Sequence, residues 1–235
     1  MHIHSTTQGA NKEAAMHRRF LMALMLFILA SLLALTHDAH GERPEVMVYV
    51  DVSLKRLSVW QGMEEIRRYP IATGAWDTPT PLGTFRITSR FSGEMGGFGT
   101  CFLGLNVPWG TYGIHGTNKP ESIGLDASHG CIRLEVAHAE DLYRLLPNGT
   151  VVIIADGPYG EWGHCLRALK NGDRNSMVCA LQRKLKAMGY YGGWPDGIWG
   201  TATEKAVQAA RKAFGLPPGE GDWALYHALG LTLFE

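Results

Sequence analysis

The sequence predicts a mainly β domain followed by a small all-α domain, and three observations support this prediction. Short runs of β-branched and aromatic residues, separated by turn residues, recur from Val46 onward. Glycine and proline are dense between several of these runs, at 73–85 and 92–113. Beyond residue 164 the apolar residues adopt a spacing of three and four, which indicates helices instead of strands.

Length and charge limit the classes of protein to be considered. A chain of 235 residues has room for one medium domain plus a small one, each with its own core. Lys plus Arg and Asp plus Glu both number 22, so the chain lacks the basic excess typical of nucleic-acid-binding proteins. We therefore expect no nucleic acid among its partners.

Residues 1–40 are predicted to direct export and not to join the fold. Lys12, Arg18 and Arg19 precede an apolar run at 20–35, which matches the charged and apolar regions of a signal peptide. A cleaved signal peptide and an uncleaved signal anchor, which would attach the protein to the membrane, both fit this pattern. Met16 is an alternative start to Met1. In each case we expect an exported protein of the periplasm or cell envelope.

The first folded domain is predicted at 44–156. VMVYVD, LSVW and IRRYPIA, with a turn between each pair, predict successive hairpins and hence an antiparallel sheet. The glycine-rich segment 92–113 keeps several aromatic and apolar residues, which favours a packed functional loop. A short amphipathic helix is expected at 136–146, and the apolar run TVVIIA at 150–155 predicts a central strand.

A linker at 157–164 and a three-helix domain at 165–235 complete the chain. Val178, Leu181, Leu185 and Met188 lie on one predicted helix face, with Gly189 as the C-cap. The string TATE at 201–204 predicts a capping box that opens a second helix. Asp222 is expected to cap a short third helix.

The stretch 112–134, YGIHGTNKPESIGLDASHGCIRL, carries the chemistry. Cys131 is a candidate nucleophile, because a thiol with a histidine in reach and glycines around it becomes a usable thiolate. His115 is the candidate base, and the Gly116 carbonyl is expected to accept from its far ring nitrogen. The backbone N–H groups around His129, Gly130 and Cys131 are candidate oxyanion donors.

Other readings of the same residues remain open. Substrate contacts are expected from the flanking residues of the stretch, namely Arg133, Ser128, Gly116 and Tyr112. A zinc site made of His115, His129 and Cys131 is an alternative, although no fourth ligand presents itself. Cys165 and Cys179 can form a disulfide in an exported protein or be two buried small side chains. No cofactor or metal is predicted.

These motifs resemble those of the L,D-transpeptidases of the YkuD type. The histidine, spacer and Ser/Thr-His-Gly-Cys of that family are matched by His115 and by residues 128–131, SHGC. The segment TGAWDTPTPLGTF at 73–85 is similar to a second family motif. Residues 165–229 resemble a peptidoglycan-binding three-helix domain, through LQRKLKAMGYY, DGIWG and TATEKAVQ.

The resemblance implies a β-sandwich-like catalytic domain that acts on peptidoglycan stem tetrapeptides. It implies that Cys131 attacks the carbonyl of the third residue, with His115 as base and His129 and Gly130 supporting the oxyanion. The acyl group then passes to an amine, which cross-links the cell wall or anchors a protein. The family often has an Asn a few positions after the Cys, whereas this chain has Glu135 and Val136.

Two other functions are compatible with the same residues. Water as acceptor would make the protein an L,D-carboxypeptidase or stem-peptide hydrolase, and a domain that has lost activity would make it a non-catalytic wall-binding protein. The C-terminal aromatic residues are equally compatible with stacking on sugars and with filling a small core. They are Tyr190, Tyr191, Trp194 and Trp199.

Overall fold

The structure is a computed structural model that describes residues 45–159, 162 and 167–231. The predicted export segment and Cys165 of the predicted disulfide lie outside the described residues. The strands are β1 (Val46–Asp51), β2 (Arg56–Gln61), β3 (Glu64–Pro70), β4 (Thr73–Gly74), β5 (Gly83–Ser92), β6 (Cys101–Leu105), β7 (Tyr112–Gly116), β8 (Asp126–Ser128), β9 (Ile132–Leu134) and β10 (Val151–Ala155). The α-helices are α1 (Val136–Leu145), α2 (Ser176–Ala187), α3 (Thr201–Ala213) and α4 (Trp223–Ala228).

One long strand joins the two halves of the main sheet. The sheet has eight strands in the order β3-β2-β1-β10-β5-β6-β7-β9, and β4 pairs separately with β8. The first residues of β5, Gly83–Arg86, pair with β10, and its later residues pair with β6. Gly83, Phe85 and Ile87 alternate with exposed neighbours and point into the core, as the period of two requires. The predicted mainly β fold is confirmed.

The predicted antiparallel hairpins are confirmed, and the sheet also contains parallel pairs that the sequence did not predict. The hairpins β1-β2 and β2-β3 are antiparallel, but β1 pairs in parallel with β10, and β7 pairs in parallel with β9. Local turn residues reveal hairpins, whereas parallel neighbours are joined by crossovers that leave no local turn signal. The prediction that 150–155 forms a central strand is confirmed, because β10 lies between β1 and β5.

Helix α1 follows β9 and packs against β6 and β7. It begins at Val136 as predicted and buries Ala139 and Leu142 against the sheet. Its first residue lies against β7, since a β-carbon on Gly116 would be 3.3 Å from the Cα of Val136. The helix therefore backs the strand that carries the candidate base.

The C-terminal helices enclose a second hydrophobic core, which includes Val178, Leu181, Leu185, Trp199 and Tyr226. Gly189 follows α2 with a φ of 83°, the left-handed conformation predicted for a C-cap. The carboxylate of Asp222 accepts from the Leu225 N–H, so the predicted third helix cap is confirmed.

Two details of this helical module were predicted wrongly. Met188 is 40% exposed and does not share the buried face of α2. The capping box is absent, because Gly200 is the N-cap of α3 and no side chain caps it. Thr203 is instead buried and accepts from Gln182, while Glu204 accepts from the Trp199 indole N–H.

The helical module packs directly on the β domain. The Leu82 N–H donates to Ser176 Oγ at 2.7 Å in a buried hydrogen bond. Cys179, on the next turn of α2, is 6% exposed and belongs to the hydrophobic core of the β domain. Within the described residues, no helix combines the length and apolar character required to cross a membrane.

Candidate active site

The parallel pairing of β7 with β9 brings the two ends of the predicted motif together. His115 lies opposite Arg133 in the register, and Cys131 immediately precedes β9. The Gly113 N–H of β7 faces the Cys131 sulfur and acts to lower the pKa of the thiol. Both predicted reactive residues open into one pocket of about 370 Å³, lined by Phe98, Phe102, Thr111, His115, His129, Cys131 and Arg133.

The orientation of His115 is set by one hydrogen bond and two aromatic rings. Its Nδ1 lies 2.5 Å from the Gly116 carbonyl oxygen, as predicted. Because a carbonyl only accepts, Nδ1 carries the proton and Nε2 is the acceptor nitrogen. Phe102 stacks on the imidazole at 5.7 Å and Phe98 meets it edge-on at 4.7 Å. The side chain is thus fixed in the tautomer that a general base requires.

Burial sets the protonation of both reactive groups. Burial lowers the pKa of His115 to about 4, against the effect of the Gly116 carbonyl, and the charge of Arg133 lowers it further. Burial also raises the pKa of the Cys131 thiol, against the effects of the Gly113 N–H and of Arg133. At neutral pH the resting pair is therefore a neutral imidazole and a neutral thiol.

We expect His115 to make the protein less stable in acid. Its pKa is about 4 in the fold and about 6.5 in the unfolded chain, so the unfolded state binds more protons between these values. Its contribution to the free energy of unfolding is therefore complete above pH 6.5 and falls as pH decreases toward 4. The loss amounts to about 3 kcal/mol.

Urea denaturation of the wild type and of His115→Gln at pH 7 and pH 4 measures this contribution. The stability of the wild type should fall more steeply than that of the variant over this interval. Equal pH dependence in the two proteins would show that His115 is not held neutral by burial. Because the remaining titratable groups are shared, the difference between the two curves isolates this histidine.

The turn before Cys131 is built by Ser128 and Gly130. Ser128 is 2% exposed, and its hydroxyl donates to the Cys131 carbonyl at 2.6 Å and accepts from the Gly130 N–H at 3.0 Å. Gly130 has a φ of 105°, and a β-carbon there would lie 2.5 Å from Tyr112 Cε1. Glycine is thus required by both the backbone conformation and the adjacent ring.

These contacts bear on two of the predicted roles. Ser128 is buried inside the turn and its hydroxyl fixes the shape of the turn, while its contact with substrate stays a prediction. The Gly130 N–H is already donated to Ser128 and is not an available oxyanion donor. Sequence spacing placed both groups beside the nucleophile correctly, but it contained no information about their internal hydrogen bond.

The other predicted substrate contacts divide into two kinds. Gly116 is buried and its carbonyl is used by His115, so it orients the base. Tyr112 is half-buried and packs on the turn. Arg133 lines the pocket and donates from Nη1 to the Ala127 carbonyl at 3.1 Å, while its buried Nε has no partner in the described part of the chain. Of these residues, Arg133 is the one that brings a charged side chain to the pocket.

Two of the predicted site residues differ sharply in exposure. His115 is 2% exposed, whereas His129 is an exposed residue at the rim of the same pocket.

Among the described residues, no group of three or more His, Cys, Asp and Glu side chains is arranged to hold a metal ion. The zinc alternative, which needed His115, His129 and Cys131 together, is therefore not supported by the arrangement.

Several pocket residues were not singled out as site residues from the sequence. Phe98 and Phe102 pack around the imidazole, Thr111 lines the pocket, and the Gly113 N–H contacts the sulfur. The density of aromatic and apolar residues in the segment 92–113 was the available signal for the two phenylalanines. Contacts that depend on the register between β7 and β9 could not be predicted from the spacing of residues along the sequence.

Comparison with known proteins matches both folded parts of the chain. The family model of the YkuD L,D-transpeptidase catalytic domain matches residues 45–154, and that of the "Putative peptidoglycan binding domain" matches 174–222. The chain is 40% identical over 107 residues to "Putative L,D-transpeptidase YkuD" of Bacillus subtilis (strain 168), covering 46% of this chain and 64% of that protein. It is 40% identical over 114 residues to the protein of the same name from Bacillus licheniformis, covering 47% and 68%.

A solved structure of similar description also matches. The L,D-transpeptidase from Mycobacterium smegmatis is 25% identical, with a TM-score of 0.41 over 47% of this chain and 58% of that one. The chain therefore covers less than two thirds of the length of the Bacillus subtilis relative, at 64%, and of this structure, at 58%.

Proposed function

This chain belongs to the YkuD family of L,D-transpeptidases, and we propose that it is a cysteine acyltransferase acting on peptidoglycan stem tetrapeptides. The observation that supports the proposal best is the pairing of a thiol with an oriented, unprotonated imidazole nitrogen in one pocket. Cys131 supplies the thiol, and His115 presents Nε2 because Gly116 holds Nδ1. Arg133 in the same pocket provides positive charge for an acidic peptide.

The first half-reaction forms an acyl-enzyme. His115 Nε2 takes the proton of Cys131 as the sulfur attacks the carbonyl carbon of the third stem-peptide residue. The resulting oxyanion is stabilised by the Cys131 N–H and by His129 at the pocket rim. Collapse of the intermediate breaks the amide bond, and the terminal D-alanine leaves as an amine with the proton from His115. A thioester on Cys131 remains.

The second half-reaction transfers the acyl group. An acceptor amine loses a proton to His115, attacks the thioester carbon and forms an amide, while the sulfur leaves and recovers a proton. A second stem peptide as acceptor gives a cross-link, and a protein amine gives an anchored protein.

Mass analysis of muropeptides tests this reaction. Incubation of the protein with a purified donor tetrapeptide should release D-alanine and give covalent dimers linked through the third residue of the donor. Shortened monomers without dimers would identify a carboxypeptidase and contradict transfer. Unchanged tetrapeptide, together with Cys131 that reacts no faster than Cys101 with a carbapenem, would identify a non-catalytic wall-binding protein.

For the C-terminal helical module we propose a role in binding peptidoglycan, at a site exposed to the cell envelope after export. Trp199 and Tyr191 are buried in its core, so they are not available for stacking. Trp194 is 77% exposed, and Lys186 Nζ lies 5.8 Å from the centre of its ring. An exposed indole held by a neighbouring cation offers a flat face to a sugar ring.

Trp194→Ala should weaken the retention of the protein on purified sacculi by about fivefold, because one stacking contact contributes about 1 kcal/mol. Co-sedimentation measures the effect. Trp223→Ala is the matched control, since Trp223 is also an exposed indole of the module, at 59%. Equal retention of the Trp194→Ala variant and the wild type would remove Trp194 from the binding surface.

A further inference from the structure

The helical module contacts the β domain at Trp109, from which further contacts extend to the active site. Gly197, between α2 and α3, has a φ of 72°, and a β-carbon there would lie 2.3 Å from Trp109 Cε3. Its Cα therefore packs directly on the indole of Trp109, which is 7% exposed. Ile198, the next residue, packs against the core of the β domain. Only glycine fits both the backbone conformation and this close approach.

Gly197 is held rigidly from the side of the module. Gln182 of α2 is fully buried, and its Oε1 accepts from the Gly197 N–H at 2.8 Å. Its Nε2 donates to Asp196 Oδ1 at 2.9 Å and to the Ile198 carbonyl at 3.0 Å. One buried side chain thus fixes three consecutive residues against Trp109. The two hydrogens of Nε2 are shared among these acceptors and the nearby Thr203 hydroxyl, so the buried amide is fully hydrogen-bonded and forms a stiff support.

Further contacts connect Trp109 with the turn that precedes the nucleophile. Trp109 lies in the hydrophobic core of the β domain and Tyr112 packs against that core, where the indole N–H, which can only donate, acts to lower the pKa of the Tyr112 hydroxyl. The Tyr112 ring in turn lies against Gly130, whose absent β-carbon would be 2.5 Å from Tyr112 Cε1. Burial raises the pKa of Tyr112, and the negative charge of the Cys131 thiolate raises it further, so the two groups are close.

We propose that Trp109 is a positioning residue through which the helical module supports the turn that carries Cys131. The support runs from Gly197 to Trp109, then to Tyr112, and finally to Gly130. This inference deepens the proposed function, on which it rests for the role of Cys131. It assigns the helical module a second task besides wall binding, because the module then shapes the active site of the enzyme to which it is joined.

Two variants of the full chain test this support. Gly197→Ala pushes a methyl group into the indole, and Trp109→Phe removes the N–H that acts on the Tyr112 hydroxyl. Gly189→Ala is the matched control, because Gly189 also belongs to the module and has a φ of 83°, but a β-carbon there meets nothing within 4 Å. The two glycine variants therefore share the backbone strain and differ in contact with Trp109.

The readout is the alkylation of individual cysteines by iodoacetamide at pH 7.5, followed by mass spectrometry. A loosened turn admits water to the sulfur, lowers the pKa of Cys131 toward its usual value and speeds its alkylation. We expect alkylation of Cys131 to rise about threefold or more in Gly197→Ala and Trp109→Phe, with Gly189→Ala unchanged. Carbapenem acylation of the same two variants should fall about tenfold, since the geometry of attack is lost.

Cys101 is an internal reference for global opening, because it is 3% exposed in the core of the β domain. Unchanged Cys131 alkylation in both variants would overturn the inference. A parallel rise at Cys101 and Cys131 would also overturn it, because the module would then contribute only to overall stability. The alkylation readout does not depend on turnover, so a wild type that forms no acyl-enzyme contradicts the proposed function without affecting this test.

Discussion

Cys131→Ser is expected to lose acylation by a carbapenem or a donor tetrapeptide, by about 10³-fold or more. A hydroxyl in place of the thiol is a far weaker acid, and a neutral imidazole with its pKa near 4 is too weak a base to remove its proton. Stopped-flow acylation with detection by mass measures the loss. The fold should be retained, because the substitution changes one atom at a half-buried position.

Cys101→Ala is the matched control for this variant. Cys101 is a buried thiol of the same sheet, and it does not line the pocket. In the Cys101→Ala variant we expect Cys131 to be acylated at the rate of the wild type. Acylation that persists in Cys131→Ser but disappears in Cys101→Ala would transfer the nucleophile to Cys101 and refute the proposed mechanism.

His115→Gln is expected to slow acylation by about 10²–10⁴-fold, the range associated with loss of a general base. The glutamine amide can still contact Gly116, but it cannot take a proton from the thiol. Alkylation of Cys131 by iodoacetamide at pH 7.5 should change by less than about threefold, because the resting thiol is not paired with an imidazolium ion. The acylation rate reports the loss of proton transfer to His115, and the alkylation rate reports the exposure of the sulfur.

A different pattern in His115→Gln would contradict the mechanism. A tenfold or greater fall in alkylation would indicate a preformed thiolate that depends on protonated His115. Acylation at the rate of the wild type would transfer the role of base to His129, which lines the same pocket. His129→Gln is therefore the natural companion variant, and we expect it to acylate more slowly through weaker oxyanion support while the base remains in place.

The meeting of Cys131 and His115 in one pocket could be predicted from the sequence, because the proposed chemistry depends on residue type and local spacing. Cys131 followed a histidine and a glycine, and His115 was followed by a glycine whose carbonyl was expected to accept from it. The structure contains that hydrogen bond. The mainly β domain, the short helix after the nucleophile and the cap at Asp222 were predicted for the same reason, since each depends on a local pattern.

The parts that were missed depend on contacts between distant segments. The parallel neighbours of β1 and β7 come from strands far along the chain or across a crossover, so no turn residue indicated them. The internal hydrogen bond between Ser128 and Gly130 follows from a turn whose shape is set by Tyr112. The predicted capping box does not form because both side chains have other partners in the module. Glu204 accepts from the Trp199 indole, and Thr203 accepts from Gln182.

The neutral resting state of the site has a consequence for the oxidation of the nucleophile. Peroxides and disulfides react with a thiolate much faster than with a thiol. Because burial keeps Cys131 protonated until His115 takes the proton during attack, the sulfur is a poor target for these oxidants. In the oxidising envelope that we propose as its location, the protonated state therefore helps to keep the Cys131 nucleophile reduced between turnovers.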